Sequence, residues 1–224
     1  IHIAEQVKEV EDIQAWLGAR PVEWLTANCA VNTLWCAIHA THMTAGETKA
    51  LAATGAVAGL CPITEANLGD GAFNGPGWIA ANGHFGVGSD SNVRIALSEE
   101  LRTLEYSQRL RDRARNVLVT GQGSVGDFLY RNAALGGAQA LGREAGEIAV
   151  GKWADLVSID SSHVALCGLQ QEQLLDGWCF AADDNVVTDV WSAGRHCVRE
   201  GQHIARDAVA SRFRKTMRRL SEVL

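Results

Sequence analysis

The chain repeats one pattern four times: a short apolar run followed by a segment long enough for a helix. The runs fall at residues 1–6, 34–38, 56–61 and 85–89. A helix over 9–18 closes on Gly18, and a second starts at Pro21, a residue suited to a first helical turn. Thr44-Ala45-Gly46-Glu47 has the spacing of a capping box and opens a helix to about residue 54. A polar loop is expected over 62–74 and a short helix over 78–82. A charged helix follows over 98–116, amphipathic through Leu97, Leu101, Leu104 and Leu110, and another over 127–141. Strands that alternate with helices are parallel and joined by helical crossovers, so the expected class is α/β.

Near residue 145 the texture changes. Residues 146–160 are glycine-punctuated and β-like, and 186–198 predicts a hairpin turning at Ala193-Gly194. A basic helix is expected over 207–224. Two parts follow: an α/β part over 1–145, and a β-rich part with a terminal helix over 146–224.

With 224 residues, 47% of them hydrophobic, the chain can bury a substantial core. A net charge of −6 offers no phosphate-binding surface, which argues against nucleic acid as a partner. The apolar runs are too short for a membrane span. No secretory signal is visible, so a cytoplasmic protein is expected. The cysteines at 29, 36, 61, 167, 179 and 197 form no CxxC pair and are expected to be reduced. The chain opens inside an apparent strand, on Ile1, and is expected to be a fragment whose N-terminal part is missing.

Three of the apolar runs carry chemically useful residues at or near their ends. His2 and Glu5 stand in the first, His39 follows the second, and Asp90 follows the fourth. Histidine and carboxylate ligands with an open position are what a divalent metal needs to activate water, and a nearby carboxylate can move the protons. Positions 2 and 5 of a strand face opposite ways. Both reach one site only if Glu5 lies past the strand end, where the chain turns. Each residue also has an ordinary explanation. A lone histidine is more often a core or surface residue, and Asp90 could cap a turn. His42 is expected to be a loop histidine, and His84, His163, His196 and His203 to be solvated. Glu65 and Asn67 are turn formers and only weak candidates for substrate binding. The ordered set is less readily explained by chance than any one member.

This set resembles the amidohydrolase superfamily, in its cytosine-deaminase-like branch. The carrying segments are His2-Ile3-Ala4-Glu5, His39-Ala40-Thr41-His42, Cys61-Pro62-Ile63-Thr64-Glu65-Ala66-Asn67, Gly88-Ser89-Asp90-Ser91-Asn92 and Gly151-Lys152-Trp153-Ala154-Asp155. Thr64-Glu65-Ala66-Asn67 stands where purine and triazine deaminases tend to carry a serine-asparagine pair, which favours members acting on formimino acids. The resemblance implies the C-terminal half of a (β/α)8 barrel, strands five to eight, plus the C-terminal part of a small β-sandwich domain. It implies one zinc held by His2 and Asp90, with Glu5, His39 and Asp90 catalytic. Two further ligands are expected in a missing N-terminal half, so that this chain alone is expected to be inactive.

The activity so implied is hydrolysis of the formimino C–N bond of N-formimino-L-glutamate, giving N-formyl-L-glutamate and ammonia, in histidine degradation. The expected partner is a small-molecule substrate, and the full enzyme could be a homodimer. The alternatives are an aminohydrolase acting on a purine or pyrimidine, for which Phe73 and Trp78 are the available stacking residues, and a non-catalytic barrel fragment.

Overall fold

The computed structural model describes residues 1–121 and 123–223. The first part holds β1 (His2–Ile3), α1 (Val7–Leu17), α2 (Pro21–Asn28), β2 (Cys36–His39), α3 (Ala45–Ala53), β3 (Val57–Leu60), α4 (Pro62–Leu68), α5 (Gly75–Ala80), β4 (His84–Val87), α6 (Leu97–Asp112) and α7 (Val125–Ala140). The second holds β5 (Leu156–Ile159), α8 (Glu172–Phe180), β6 (Val187–Ser192), β7 (Arg195–Arg199), β8 (Gln202–His203) and α9 (Arg206–Ser221).

Strands β1 to β4 form one sheet in chain order, every pair parallel. The registers place Ile3 beside His39, Ile38 beside Gly59 and Leu60 beside Val87. Parallel strands are covered on both faces, and β3 accordingly buries Val57, Ala58 and Leu60 completely or nearly so. Full burial of a valine or leucine side chain such as Val57 or Leu60 contributes about 1.5–3 kcal/mol. The strand ends that follow residues 3, 39, 60 and 87 all lie at one end of the sheet, so the loops after them share one face.

Helix α7 covers β4 at unusually short range. A Cβ on Gly136 would overlap the backbone carbonyl of Phe85, and one on Gly86 would lie 3.0 Å from the Gly137 backbone. Glycine on both sides lets the helix backbone lie against the strand that leads to Asp90.

The second sheet, β5-β6-β7-β8, is antiparallel throughout, and the β6–β7 hairpin turns at Ala193-Gly194 as expected. Helix α8 belongs to this later part of the chain but packs on α7 and α6. Arg102 on α6 donates to the carbonyls of Cys179 and Ala182 at the end of α8. Among the described residues no helix is long and apolar enough to cross a membrane.

Several local expectations need correction. Residues 62–68 form helix α4, not loop: Pro62 sits in its first turn, and Gly69, at φ 74°, closes it. The apolar stripe of α6 is narrower than expected. Leu101 and Leu104 are buried, but Leu97 and Leu110 are exposed, and Gln108 and Glu105 fill the buried face instead. His196 is not simply solvated: it stacks on Trp191 at 4.4 Å and bonds Asp189 at 2.7 Å. The stretch 146–155 contains no strand, and only Leu156–Ile159 of the expected β segment pairs.

Candidate active site

His39 and Asp90 have unusual backbone themselves, and Glu5 follows a residue that does. Among the described residues, four of the ten non-glycine residues with positive φ are Ala4 (51°), His39 (66°), Ala40 (49°) and Asp90 (51°). Left-handed backbone is unfavourable for residues with a Cβ and tends to persist where the surroundings impose it, often at functional sites. Here it occurs just after β1, at the end of β2 and just after β4. At Ala4 it breaks the strand's alternation, which lets Glu5 join the side from which His2 and His39 approach each other.

His39 is the centre. It is fully buried. Its Nδ1 lies 3.3 Å from Glu65 Oε1, and its Nε2 lies 3.6 Å from Glu5 Oε1 and 3.9 Å from Asp90 Oδ2. The His2 ring stands 5.5 Å from the His39 ring. The structure therefore brings Glu5 and Asp90 to one nitrogen of His39, with His2 alongside. A carboxylate only accepts, so Glu65 fixes Nδ1 as the protonated nitrogen and turns Nε2 toward Glu5 and Asp90. Burial disfavours the imidazolium, but Glu65, Glu5 and Asp90 outweigh it and hold the His39 pKa above the ordinary histidine value.

His39 Nε2 is buried and makes no hydrogen bond within the protein. A buried polar atom of this kind calls for a partner. Two carboxylates and a second imidazole around it form a donor set suited to a divalent cation and an activated water. Glu5, Asp90 and His2 are thus of the donor types that the metal implied by the sequence takes, though no three of these four side chains bring ligand atoms within 4.8 Å of one another.

A tighter cluster lies behind. Ligand atoms of His39, Cys61 and Glu65 all fall within 4.8 Å of one another. Burial pushes the Cys61 thiol up to about 12, helped by Glu65 and Asp90, so it stays protonated. Glu65 Oε1 already accepts from the Cys61 amide at 2.9 Å and from His39. We read this group as a buried hydrogen-bonded support for His39. Glu65 is buried there on the first turn of α4, while Asn67 is exposed on the same helix.

Sequence reasoning passed over several supporting residues. His42 donates Nε2–H to the Asp70 carbonyl at 2.7 Å, and its amide donates to the Ala4 carbonyl at 2.9 Å. Asp70 in turn accepts from Gln6. Arg20 pairs with buried Glu47 at 2.8 Å and also donates to the His42 carbonyl. Glu9 accepts from the amides of Ala4 and Glu5. These contacts join residues far apart in the chain or use backbone partners, so side-chain identity alone gave no signal. A cleft of about 800 Å3 lies beside this network, lined by Arg20, Thr41, His42, Met43, Asn74 and Arg111 among others.

The model of the amidohydrolase family matches residues 1–197. Formimidoylglutamate deiminase of Pseudomonas aeruginosa is 51% identical over 214 residues, covering 95% of this chain and 47% of that protein. The chain thus spans about half the length of this relative. The crystal structure of an amidohydrolase from Brucella melitensis superposes with a TM-score of 0.92 at 51% identity, over 98% of this chain and 48% of that one. An adenosine deaminase from Xanthomonas campestris, solved with bound zinc, superposes with a TM-score of 0.83 at 30% identity, over 97% of this chain and 50% of that one. On the sequence match and the strand-end site together, the chain belongs to the amidohydrolase family.

Proposed function

We propose that this chain supplies one half of a formimidoylglutamate deiminase, which hydrolyses N-formimino-L-glutamate to N-formyl-L-glutamate and ammonia. The observation that carries the proposal is the convergence of Glu5 and Asp90 on the unpartnered Nε2 of buried His39. The identity to the Pseudomonas enzyme, spread over nearly the whole chain, supports the choice of substrate. In this reading β1 to β4 are strands five to eight of a (β/α)8 barrel. Residues 1–145 form the barrel half, and 146–224 form the C-terminal part of a small β-sandwich domain with its terminal helix. The enzyme would be cytoplasmic.

His2 and Asp90 would hold one divalent cation, zinc in this reading, whose charge makes a water molecule nucleophilic near neutral pH. Asp90 takes the proton from the attacking water. Glu5 carries a proton to the nitrogen that departs as ammonia, and a protonated amidine is the form in which the formimino carbon is electrophilic. His39, in its doubly protonated form with Nδ1–H on Glu65, would donate Nε2–H to the attacking oxygen as charge develops on it. Water adds its oxygen to the formimino carbon, the C–N bond to the terminal nitrogen breaks, and the formyl group remains on glutamate.

A purine or pyrimidine substrate would need an aromatic surface to stack on. Phe73 and Trp78 are both in the core and pack edge to face on each other at 5.9 Å, so neither is free for that role. The test is ammonia release by the metal-loaded enzyme from N-formimino-L-glutamate, adenosine, methylthioadenosine and cytosine. The proposal expects turnover of the first and little of the others. Preference for a nucleoside or base would reject it.

A further inference from the structure

We propose that Glu9 is a positioning residue for Glu5, an inference that rests on the catalytic role given to Glu5 above. Glu9 is the third residue of α1, after the cap residue Gln6. A glutamate there commonly reaches back to the cap amide, closing a capping box. Glu9 reaches further. One carboxylate oxygen accepts from the Ala4 amide at 2.8 Å and the other from the Glu5 amide at 2.7 Å. Both amides precede the helix, so neither is one of the donors that a helix start leaves unsatisfied. Helix capping therefore does not account for the contact.

What the contact fixes is the turn. Ala4 is buried and left-handed at φ 51°. Its amide is held by Glu9, and its carbonyl accepts from the His42 amide at 2.9 Å. The peptide links on either side of Ala4 are thus gripped from opposite directions, by α1 and by the loop after β2. Without that grip an alanine would favour right-handed or extended backbone, and extended backbone would carry Glu5 to the face opposite His2. With it, Glu5 Oε1 stands 3.6 Å from His39 Nε2. Misplacing a catalytic group by about 1 Å can cost on the order of a hundredfold in rate, so a fixed turn here has kinetic consequences.

The experiment is a double-mutant cycle in the complete, metal-loaded enzyme, with kcat, KM, bound metal and melting temperature measured for each variant. Glu9→Ala is expected to lower kcat about 10- to 100-fold, with KM changed less than about threefold and metal retained. In the Glu5→Gln background the same substitution is expected to change kcat less than about twofold, because the group it positions is already disabled. The melting temperature should fall equally in both backgrounds. Glu9→Gln, equal in size but with one acceptor oxygen instead of two, should give an intermediate loss if Glu9→Ala folds poorly. Hydrogen exchange at the Ala4 and Glu5 amides should quicken in both Glu9 variants. An equal fall in kcat in the two backgrounds, or near-native kcat for Glu9→Ala, would overturn the inference. Near-native turnover of Glu5→Gln alone would remove the role of Glu5, and this inference with it; that result involves no change at Glu9 and so is distinguished from the others.

Discussion

Glu65 stands directly behind His39: its Oε1 lies 3.3 Å from Nδ1, while the opposite ring nitrogen faces Glu5 and Asp90. The same oxygen accepts from the Cys61 amide, so the carboxylate is anchored before it meets the imidazole. Buried orientation of this kind sets which nitrogen carries the proton and where the ring points. Glu65→Ala should therefore lower kcat about 10- to 100-fold, in the range seen for orienting partners of site histidines. Steady-state ammonia release with metal content measured alongside would check it. A variant with unchanged kcat would show that His39 needs no such support.

The close seat of α7 on β4 makes a stability prediction. Gly136→Ala would place a methyl group against the Phe85 carbonyl, a rigid backbone atom that a rotamer change cannot move. Helix and strand must separate, at an expected cost of about 1–3 kcal/mol or somewhat more. Urea denaturation should show the loss, and turnover should fall with it because β4 leads directly to Asp90. A Gly137→Ala control meets open space and should be nearly neutral.

Glu100 supplies a pH prediction. It is buried, one oxygen accepts from the Ile63 amide at 2.9 Å, and the other has no partner within the protein. Burial pushes its carboxyl from an ordinary 4.5 up to about 7. Between these values the folded protein keeps a proton that the unfolded chain has released. Its contribution to stability is present below about 4.5 and is lost as pH rises through about 7. Linkage puts the whole effect at roughly 3 kcal/mol. Glu100→Gln keeps the acceptor for Ile63 and removes the ionisation, so it should gain stability relative to the native protein between pH 5 and pH 8. Denaturation curves at those two pH values measure it, and an unchanged difference would contradict the assignment.

The convergence of Glu5, His39 and Asp90 was visible in the sequence because it depends on strand ends. A short apolar run that stops at histidine or aspartate fixes both the direction of the strand and the placement of the residue after it, as at His39 and Asp90. The condition that Glu5 lie beyond the strand was also legible, since alternation forbids any other route to His2. The means was not. Left-handed Ala4 and the carboxylate of Glu9 act through backbone amides, which no residue type announces. Helix α4 was not legible because Thr64, Glu65 and Asn67 are polar, although Thr64 and Glu65 are buried, Glu65 against His39 and the Cys61 amide and Thr64 against the Ser89 carbonyl. The width of the buried stripe of α6 was not legible because leucine spacing does not reveal where the neighbouring elements end. Leu110, near the helix end, is left in solvent.

The most direct test of the account separates proton transfer from metal binding. Zinc content and ammonia release from N-formimino-L-glutamate should be measured together for the complete enzyme and for Glu5→Gln and Asp90→Asn. Glu5→Gln should keep near-native zinc and lose turnover by at least about a hundredfold, the lower end of what general acid–base catalysis contributes. Asp90→Asn should lose both, since a neutral amide is a poor ligand and no base. A Glu5→Gln enzyme with near-native turnover, or an Asp90→Asn enzyme with full zinc and full activity, would contradict it.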